Sequence, residues 1–166
     1  MGDSIFALFT DDQTQSNRSE LALLSCAIDM QVAMDAVNEY GHTLGLASIY
    51  MGIGLNVGDV VTGTLGSGIY LEQTVLGDPV NLVARLAGFA LRGQVLMSEA
   101  VYDAGKDSII AGSSINVMIK GRKQSVQVRE LQGLTWPMQM AIPVRENRKG
   151  PRVEVILPIT YHPIED

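Results

Sequence analysis

The hydrophobic positions near the start of the chain predict one strand and one long helix. Residues 4–9, SIFALF, form an apolar run of strand length and predict a buried strand. A polar run separates them from an apolar-rich segment that follows Ser19, extends to about Tyr40 and is ended by Gly41. The length and spacing of this segment predict an amphipathic to mostly buried helix.

The middle of the chain shows the pattern of strands. Residues 46–57 and 59–64 are rich in β-branched and apolar side chains, and the break at residues 56–59 predicts a tight hairpin between them. Residues 69–76 predict a further short strand. These three runs are therefore expected to form strands and not helices.

A clear helix start follows in Gly77–Asp78–Pro79. Asp78 is expected at the N-cap and Pro79 at the first helical position, and an apolar helix should continue to about Ala90. An N-cap carboxylate accepts hydrogen bonds from unpaired helix N–H groups and contributes about 1 kcal/mol. The predicted role of Asp78 is therefore structural.

The pattern after Ala90 predicts a strand at residues 94–98, a short helix at residues 98–104 capped by Ser98, and a second hairpin. This hairpin joins residues 115–119 to residues 125–131. Because two of the predicted connections are hairpins, the sheet is expected to be mixed or antiparallel, with helices packed on it.

Composition narrows the class of protein. The chain has 166 residues, of which 46% are hydrophobic and 18% charged, so it fits one folded domain and not a disordered chain. Cys26 is the single cysteine and cannot form an internal disulfide, which favours a reducing compartment. The longest apolar stretch is interrupted by Asp29 and Asp35 and predicts no membrane span. We expect a cytoplasmic location, or the cytoplasmic side of a membrane-anchored protein, and no membrane contact within this chain.

The charge of the chain is unevenly distributed. The net charge is −6, but residues 1–84 hold one basic and ten acidic side chains, whereas residues 85–166 hold eleven basic and eight acidic ones. An acidic chain binds polyanions poorly, so nucleic acid is not an expected partner. The more basic half of the chain, residues 85–166, can still bind phosphate groups at a single site.

Four motifs carry a more specific signal. They are GIGLNVGDVVTGTLGS at residues 52–67, LEQTVLGDPVNLVARLAGFA at residues 71–90, GQVLMSEAVYD at residues 93–103 and IKGRKQSVQVREL at residues 119–131. In this order and spacing they resemble the catalytic domain of the class III nucleotidyl cyclases, the adenylate and guanylate cyclases. The N-terminal GDSIFALF is similar to the metal-binding strand of that family.

The resemblance covers about residues 1–132, and residues 133–166 remain as a basic, proline-containing linker or the start of a second domain. It implies an α+β fold with a ferredoxin-like βαββαβ core and a mixed, mostly antiparallel sheet. It also implies a homodimer, or a pair with another cyclase domain, with active sites at the subunit interface. The implied reaction converts ATP or GTP into a 3′,5′-cyclic monophosphate and pyrophosphate.

The family's site residues transfer to five positions. Asp3 matches one of two aspartates that bind two Mg²⁺ or Mn²⁺ ions, and carboxylate oxygens suit such ions. Asn81 and Arg85, four residues apart on one helix face, match the residues that hold the ribose and stabilise the transferring phosphate. Lys120 matches a lysine on the terminal phosphates. Thr74 matches a purine-reading position, where threonine favours ATP over GTP.

Two family residues have no counterpart in the chain: the first metal aspartate and a purine-reading lysine both precede the matched region. We therefore expect little or no cyclase activity from these 166 residues alone. The alternative is a non-catalytic cyclase-homology domain that binds nucleotide or a partner domain and regulates it.

A separate basic cluster lies near the C-terminus. Arg148 and Arg152, followed by VEVILPITY, resemble the opening of PilZ domains, which bind cyclic di-GMP through an arginine pair. A solvated basic linker would explain the same residues.

The two explanations predict different titrations of cyclic di-GMP into the complete gene product. A PilZ-like pair gives saturable binding that R148A/R152A weakens by about 10²-fold, because two charged hydrogen-bonding groups are lost. Isothermal titration calorimetry measures this difference. If the original protein and R148A/R152A gave the same heats on titration with cyclic di-GMP, the cluster would be assigned to a linker.

Overall fold

The structure, a computed structural model, describes residues 4–10, 16–67, 70–119 and 124–145. These residues form three helices and eight strands. In chain order they are α1 (Ser16–Thr43), β1 (Ile53–Leu55), β2 (Val61–Ser67), β3 (Tyr70–Leu76), α2 (Asp78–Phe89), β4 (Val95–Ser98), α3 (Glu99–Gly105), β5 (Ile109–Ala111), β6 (Ile115–Val117), β7 (Val126–Leu134) and β8 (Met140–Ala141).

Six of the strands form one sheet around β7. The order is β1-β4-β7-β5, and β6 and β8 also pair with β7. β1 and β4 are parallel, whereas β4, β5, β6 and β8 are each antiparallel to β7. The predicted α+β class with a mixed, mostly antiparallel sheet is confirmed. β2 and β3 form a separate antiparallel hairpin.

The sheet is covered on both faces. Leu24 and Ile28 of α1 pack with Val95 and Met97 of β4 in the larger core cluster, to which strand β7 also contributes. Leu82 and Leu86 of α2 belong to a second cluster, with Ile119 and Val128. Because successive side chains of a strand point to opposite faces, α1 and α2 cover the sheet from opposite sides.

Several local predictions are confirmed. The hairpin of β6 and β7 forms as expected, and the strand expected at residues 94–98 is β4. α2 ends at Phe89, close to the predicted Ala90.

The sequence assigns residues 133–166 to a linker or a second domain. In the structure, residues 133 and 134 are the last two of β7, and residues 140 and 141 form β8, which pairs with β7.

The predicted buried strand at residues 4–9 is wrong. Residues 4–10 pair with no strand in the described part of the chain, and Ile5 is 80% exposed. An apolar run becomes a strand only where a neighbouring strand satisfies its backbone groups. No strand in residues 16–67, 70–119 or 124–145 pairs with residues 4–10 in this way.

The predicted strand at residues 46–57 is shortened to β1, because side chains of α1 bind the backbone that precedes it. The Asn38 amide donates to Ile49 O at 2.9 Å and accepts from Ile49 N at 2.8 Å. Gln31 Nε2 donates to Met51 O at 2.9 Å. These bonds occupy positions that a partner strand would use, so the segment runs along α1 instead.

The predicted hairpin at residues 56–59 is also wrong. β1 and β2 belong to different sheets, and the loop between them passes the start of α2. Asn56 Nδ2 donates to Pro79 O at 3.2 Å, and Gly58 lies against the Pro79 ring. The loop is therefore held to α2 and does not close a hairpin.

Helix α1 is longer than predicted. Gly41 lies inside the helix, which continues to Thr43, and the chain turns at Gly45 with φ +74°. Positive φ is accessible to glycine without steric strain, so Gly45 ends the helix where Gly41 does not.

Gly54 sets the distance between β1 and α2. A Cβ atom at Gly54 would lie 2.5 Å from both Ala87 N and Val83 O of α2. We expect Gly54→Ala to lower the free energy of unfolding by about 1–3 kcal/mol, because backbone atoms must move. Urea denaturation of the variant and the original protein measures the difference.

Gly88, which lies in α2 itself, provides the matched control. A Cβ atom there would meet nothing within 4 Å. Gly88→Ala should therefore raise the free energy of unfolding by about 0.5–1 kcal/mol through helix propensity. Equal stability of Gly54→Ala and the original protein would contradict the close contact.

An ion pair links α3 to β7. Arg129 Nη2 lies 2.8 Å from Glu99 Oε1, and the guanidinium carbon lies 4.1 Å from the centroid of the Tyr102 ring. The hydrogen bond from Arg129 lowers the pKa of Glu99 below its usual 4.5, against a smaller opposing effect of burial, and the Ser114 hydroxyl also lowers it.

This pKa shift predicts how stability depends on pH. Since the folded protein favours ionised Glu99, the stabilisation is fully present above pH 4.5 and is lost as the pH falls through the lowered pKa of Glu99. Glu99→Gln should reduce stability at pH 7 and narrow its difference from the original protein below pH 4. Urea midpoints across this range measure it; a constant difference would refute the coupling.

Candidate functional site

The helix α2 carries the predicted catalytic residues, and its start is fixed by glycine geometry. The N-cap residue is Gly77, with φ +152°, and a Cβ there would lie 3.2 Å from Asp59 O. The expectation that Asp78 is the N-cap is therefore wrong by one residue. Asp78 lies in the first turn, where a carboxylate stabilises the helix through its dipole.

Three contacts fix α2 along β1 and the residues on either side of it. Asn56 holds the carbonyl of Pro79 at the first turn, and Gly54 lets the backbone of α2 approach at its middle. At the end of the helix, Gly52 lies against Ala90, since a Cβ at Gly52 would be 3.0 Å from Ala90 O. The position of α2 is thus determined at its start, middle and end.

Asn81 and Arg85 lie on the exposed side of this helix. Both side chains are exposed, whereas Leu82 and Leu86, one position further along, are buried against the sheet. The spacing of four residues places Asn81 and Arg85 about one turn apart on the same face. The structure therefore brings these two predicted site residues together at the surface.

Thr74 lies in the hairpin that leads into α2. It is half-buried in β3, pairs with Gly63 of β2 and precedes the helix cap at Gly77 by three residues. Thr74 is thus connected to α2 by a very short stretch of chain. The described contacts do not place its side chain against Asn81 or Arg85.

The remaining predicted site residues lie outside the described part of the chain. They are Asp3, Lys120, Arg148 and Arg152. Within the described ranges, no group of three His, Cys, Asp or Glu side chains is arranged to hold a metal ion.

A cavity of about 620 Å³ opens beside the first turn of α2, between Asp78, Leu82, Asn116 and Ser98. The hydroxyl of Ser98 is buried and finds no hydrogen-bond partner among the described residues. Ser98 is the N-cap residue of α3 as predicted, but its side chain makes no capping hydrogen bond. Asn81 and Arg85 do not line this cavity.

The residues that hold α2 against β1 are not among the predicted site residues. Gly52, Gly54 and Asn56 alternate along MGIGLN, and this alternation places them on one face of the strand. Glycine at alternate positions of a strand signals a close backbone approach, so the pattern could have identified this contact.

In the part of the chain that the structure describes, no helix is long and apolar enough to span a membrane.

The sequence of the chain is similar to that of known proteins. The family model of the adenylate and guanylate cyclase catalytic domain matches residues 2–131. An adenylate cyclase of Anabaena cylindrica is 32% identical over 141 residues, covering 79% of this chain and 27% of the relative. Adenylate cyclase 1 of Rhizobium meliloti is 29% identical over 135 residues, covering 80% and 20%. The chain thus spans less than a third of these relatives.

Solved structures give the same result. The guanylyl cyclase Cya2 aligns with a TM-score of 0.75 and 30% identity, covering 83% of this chain and 68% of the other. The adenylyl cyclase CyaB from P. aeruginosa aligns with a TM-score of 0.67 and 27% identity, covering 74% and 64%. With the family match over residues 2–131, this chain belongs to the adenylate and guanylate cyclase catalytic domain family.

Proposed function

We propose that this chain acts as the catalytic part of an adenylate cyclase that forms 3′,5′-cyclic AMP and pyrophosphate from ATP in intracellular signalling. The proposal rests on the position of Asn81 and Arg85. Both lie on one exposed face of α2, and this helix is fixed against β1 at Gly54. In the reaction, the ribose 3′-oxygen attacks the α-phosphorus, loses its proton, and displaces pyrophosphate.

Asn81 and Arg85 have separate tasks in this proposal. The Asn81 amide can both donate to and accept from the ribose, which orients the 3′-hydroxyl for attack. The Arg85 guanidinium carries a permanent positive charge and a planar set of donors suited to phosphate oxygens. Charge that accumulates on the α-phosphate in the transition state is stabilised by such a donor. Both groups require a helix that does not move relative to the sheet.

The preference for ATP rests on Thr74 and on the relatives. A threonine hydroxyl can donate to or accept from the edge of a purine base. The relatives from Anabaena cylindrica and Rhizobium meliloti are described as adenylate cyclases, whereas Cya2 is described as a guanylyl cyclase. We therefore assign ATP as substrate, with GTP as the competing nucleotide in every assay.

A second cyclase domain is part of the proposal. The β2–β3 hairpin forms its own two-stranded sheet, and Val61 and Leu76 at its base are 70% and 55% exposed. An isolated two-stranded hairpin is marginally stable, so a neighbouring chain is expected to cover it. One solved structure of the same fold, 24% identical, is described as a non-canonical dimeric guanylyl cyclase domain. A homodimer, or a pair with another cyclase domain, would provide this cover.

Asp3 is the proposed metal ligand of this chain. Two Mg²⁺ or Mn²⁺ ions would neutralise the triphosphate charge when bound. Asp3 lies outside the described residues, among which no group of three His, Cys, Asp or Glu side chains is arranged to hold a metal ion. Lys120 is the proposed contact for the terminal phosphates.

Substitution of the helix residues tests the proposal in the complete gene product. With Mn²⁺ and ATP, Asn81→Ala and Arg85→Ala should each lower kcat by about 10²–10³-fold, because each removes a group that stabilises the transition state. Chromatographic quantitation of cyclic AMP measures this loss. Lys106→Ala removes an exposed positive charge just after α3 and should leave kcat unchanged.

Each outcome of this assay has one meaning. Wild-type rates in Asn81→Ala and Arg85→Ala would refute the site assignment. Formation of cyclic GMP from GTP in preference to cyclic AMP would refute the base preference. Binding of an ATP analogue without any product would instead support a non-catalytic cyclase-homology domain.

A further inference from the structure

The side chain of Arg145, at the end of the described chain, is anchored on helix α1. Its Nη1 donates to Gln31 Oε1 at 3.0 Å, and its Nη2 donates to the Gln31 carbonyl oxygen and to Asp35 Oδ1, the latter at 2.7 Å. The side chain of Arg145 is 9% exposed and that of Asp35 is 64% exposed. The guanidinium is therefore buried mainly against Gln31, whereas its partner Asp35 stays exposed to solvent.

Gln31 connects Arg145 to the start of the sheet. Its side chain is fully buried, and its Nε2 donates to Met51 O while its Oε1 accepts from Arg145. The same carbonyl of Met51 accepts from Gly93 N at 3.1 Å. Four distant parts of the chain thus share one hydrogen-bonded network.

Gly93 brings the network to the end of α2. It lies in the turn after the helix, with φ +77°, and a Cβ atom there would lie 3.2 Å from Arg145 Cδ. Gln94 closes this turn, since its Oε1 accepts from Leu91 N at 3.0 Å. Ile53 N of β1 donates to Gln94 O at 3.0 Å. The aliphatic part of Arg145 therefore packs on the turn that joins α2, β1 and β4.

We propose that Arg145 is a positioning residue for the cyclase reaction, and that it acts through Gln31 and Met51 on the C-terminal end of α2. Arg145 holds Gln31, Gln31 holds Met51, and Met51 with Gly93 fixes the C-terminal end of the helix that carries Asn81 and Arg85. Loss of the Arg145 side chain frees this end of the helix and lowers turnover. This inference rests on the proposed function.

Kinetics of the complete gene product test the coupling. A displacement of about 1 Å at a catalytic group can lower a rate about 10²-fold, so Arg145→Ala should lower kcat at least about 10-fold. The KM for ATP should stay within about 2-fold, because the affected groups act in the transition state. Arg145→Lys keeps the charge and the stem, and should restore part of kcat.

Arg129→Ala is the matched control. It also removes a partly buried arginine and its ion pair, but from α3 and β7. Its kcat should stay within about 2-fold of the original at a temperature where both variants are folded. A loss of kcat shared equally by Arg129→Ala and Arg145→Ala, or no loss in Arg145→Ala, would overturn the proposal.

Hydrogen–deuterium exchange separates this inference from the proposed function. Without nucleotide, Arg145→Ala should speed the exchange of amides in residues 86–94, and Arg129→Ala should not. If the protein forms no cyclic nucleotide, this difference still establishes the coupling while the proposed function fails. Unchanged exchange in residues 86–94 overturns the coupling whatever the activity.

Discussion

The close approach of α2 to β1 is the contact on which the candidate site depends. At Gly54 the two backbones are so near that no Cβ atom fits between them. Buried leucines hold the inner side of α2 against the sheet, which leaves Asn81 and Arg85 on its outer side. A helix seated by backbone contact has less freedom to shift than one seated by flexible side chains. The pair can therefore hold a fixed geometry although both residues are exposed.

Polar side chains of α1 provide the second constraint. Gln31 and Asn38 bind the backbone of Met51 and Ile49, so the chain enters β1 along the helix and not from a hairpin. Because Met51 O is shared with Gly93, these bonds also set the turn at the far end of α2. The polar face of α1 thus determines where both ends of the β1–α2 unit lie.

Local sequence signals predicted the elements near the site, and distant contacts decided the rest. The Gly77–Pro79 start of α2 and the β6–β7 hairpin follow from turn residues and strand pattern over fewer than twenty residues. The failure at residues 46–57 has a different cause, because Asn38 lies eleven positions from Ile49 and its role could not be read from the strand pattern. The 114-residue separation of Arg145 from Gln31 made that contact still less accessible.

The position of the β2–β3 hairpin in the chain would connect dimer formation to the helix that carries Asn81 and Arg85. The β2–β3 hairpin pairs with no other strand in the described part of the chain, and it passes through Thr74 directly into the cap of α2 at Gly77. A second chain that covers the hairpin would therefore also restrict the start of the helix bearing Asn81 and Arg85. Arg145 restricts the opposite end through Gly93. The two ends of one helix are thus held by different parts of the chain, the start by the β2–β3 hairpin and the end by Arg145.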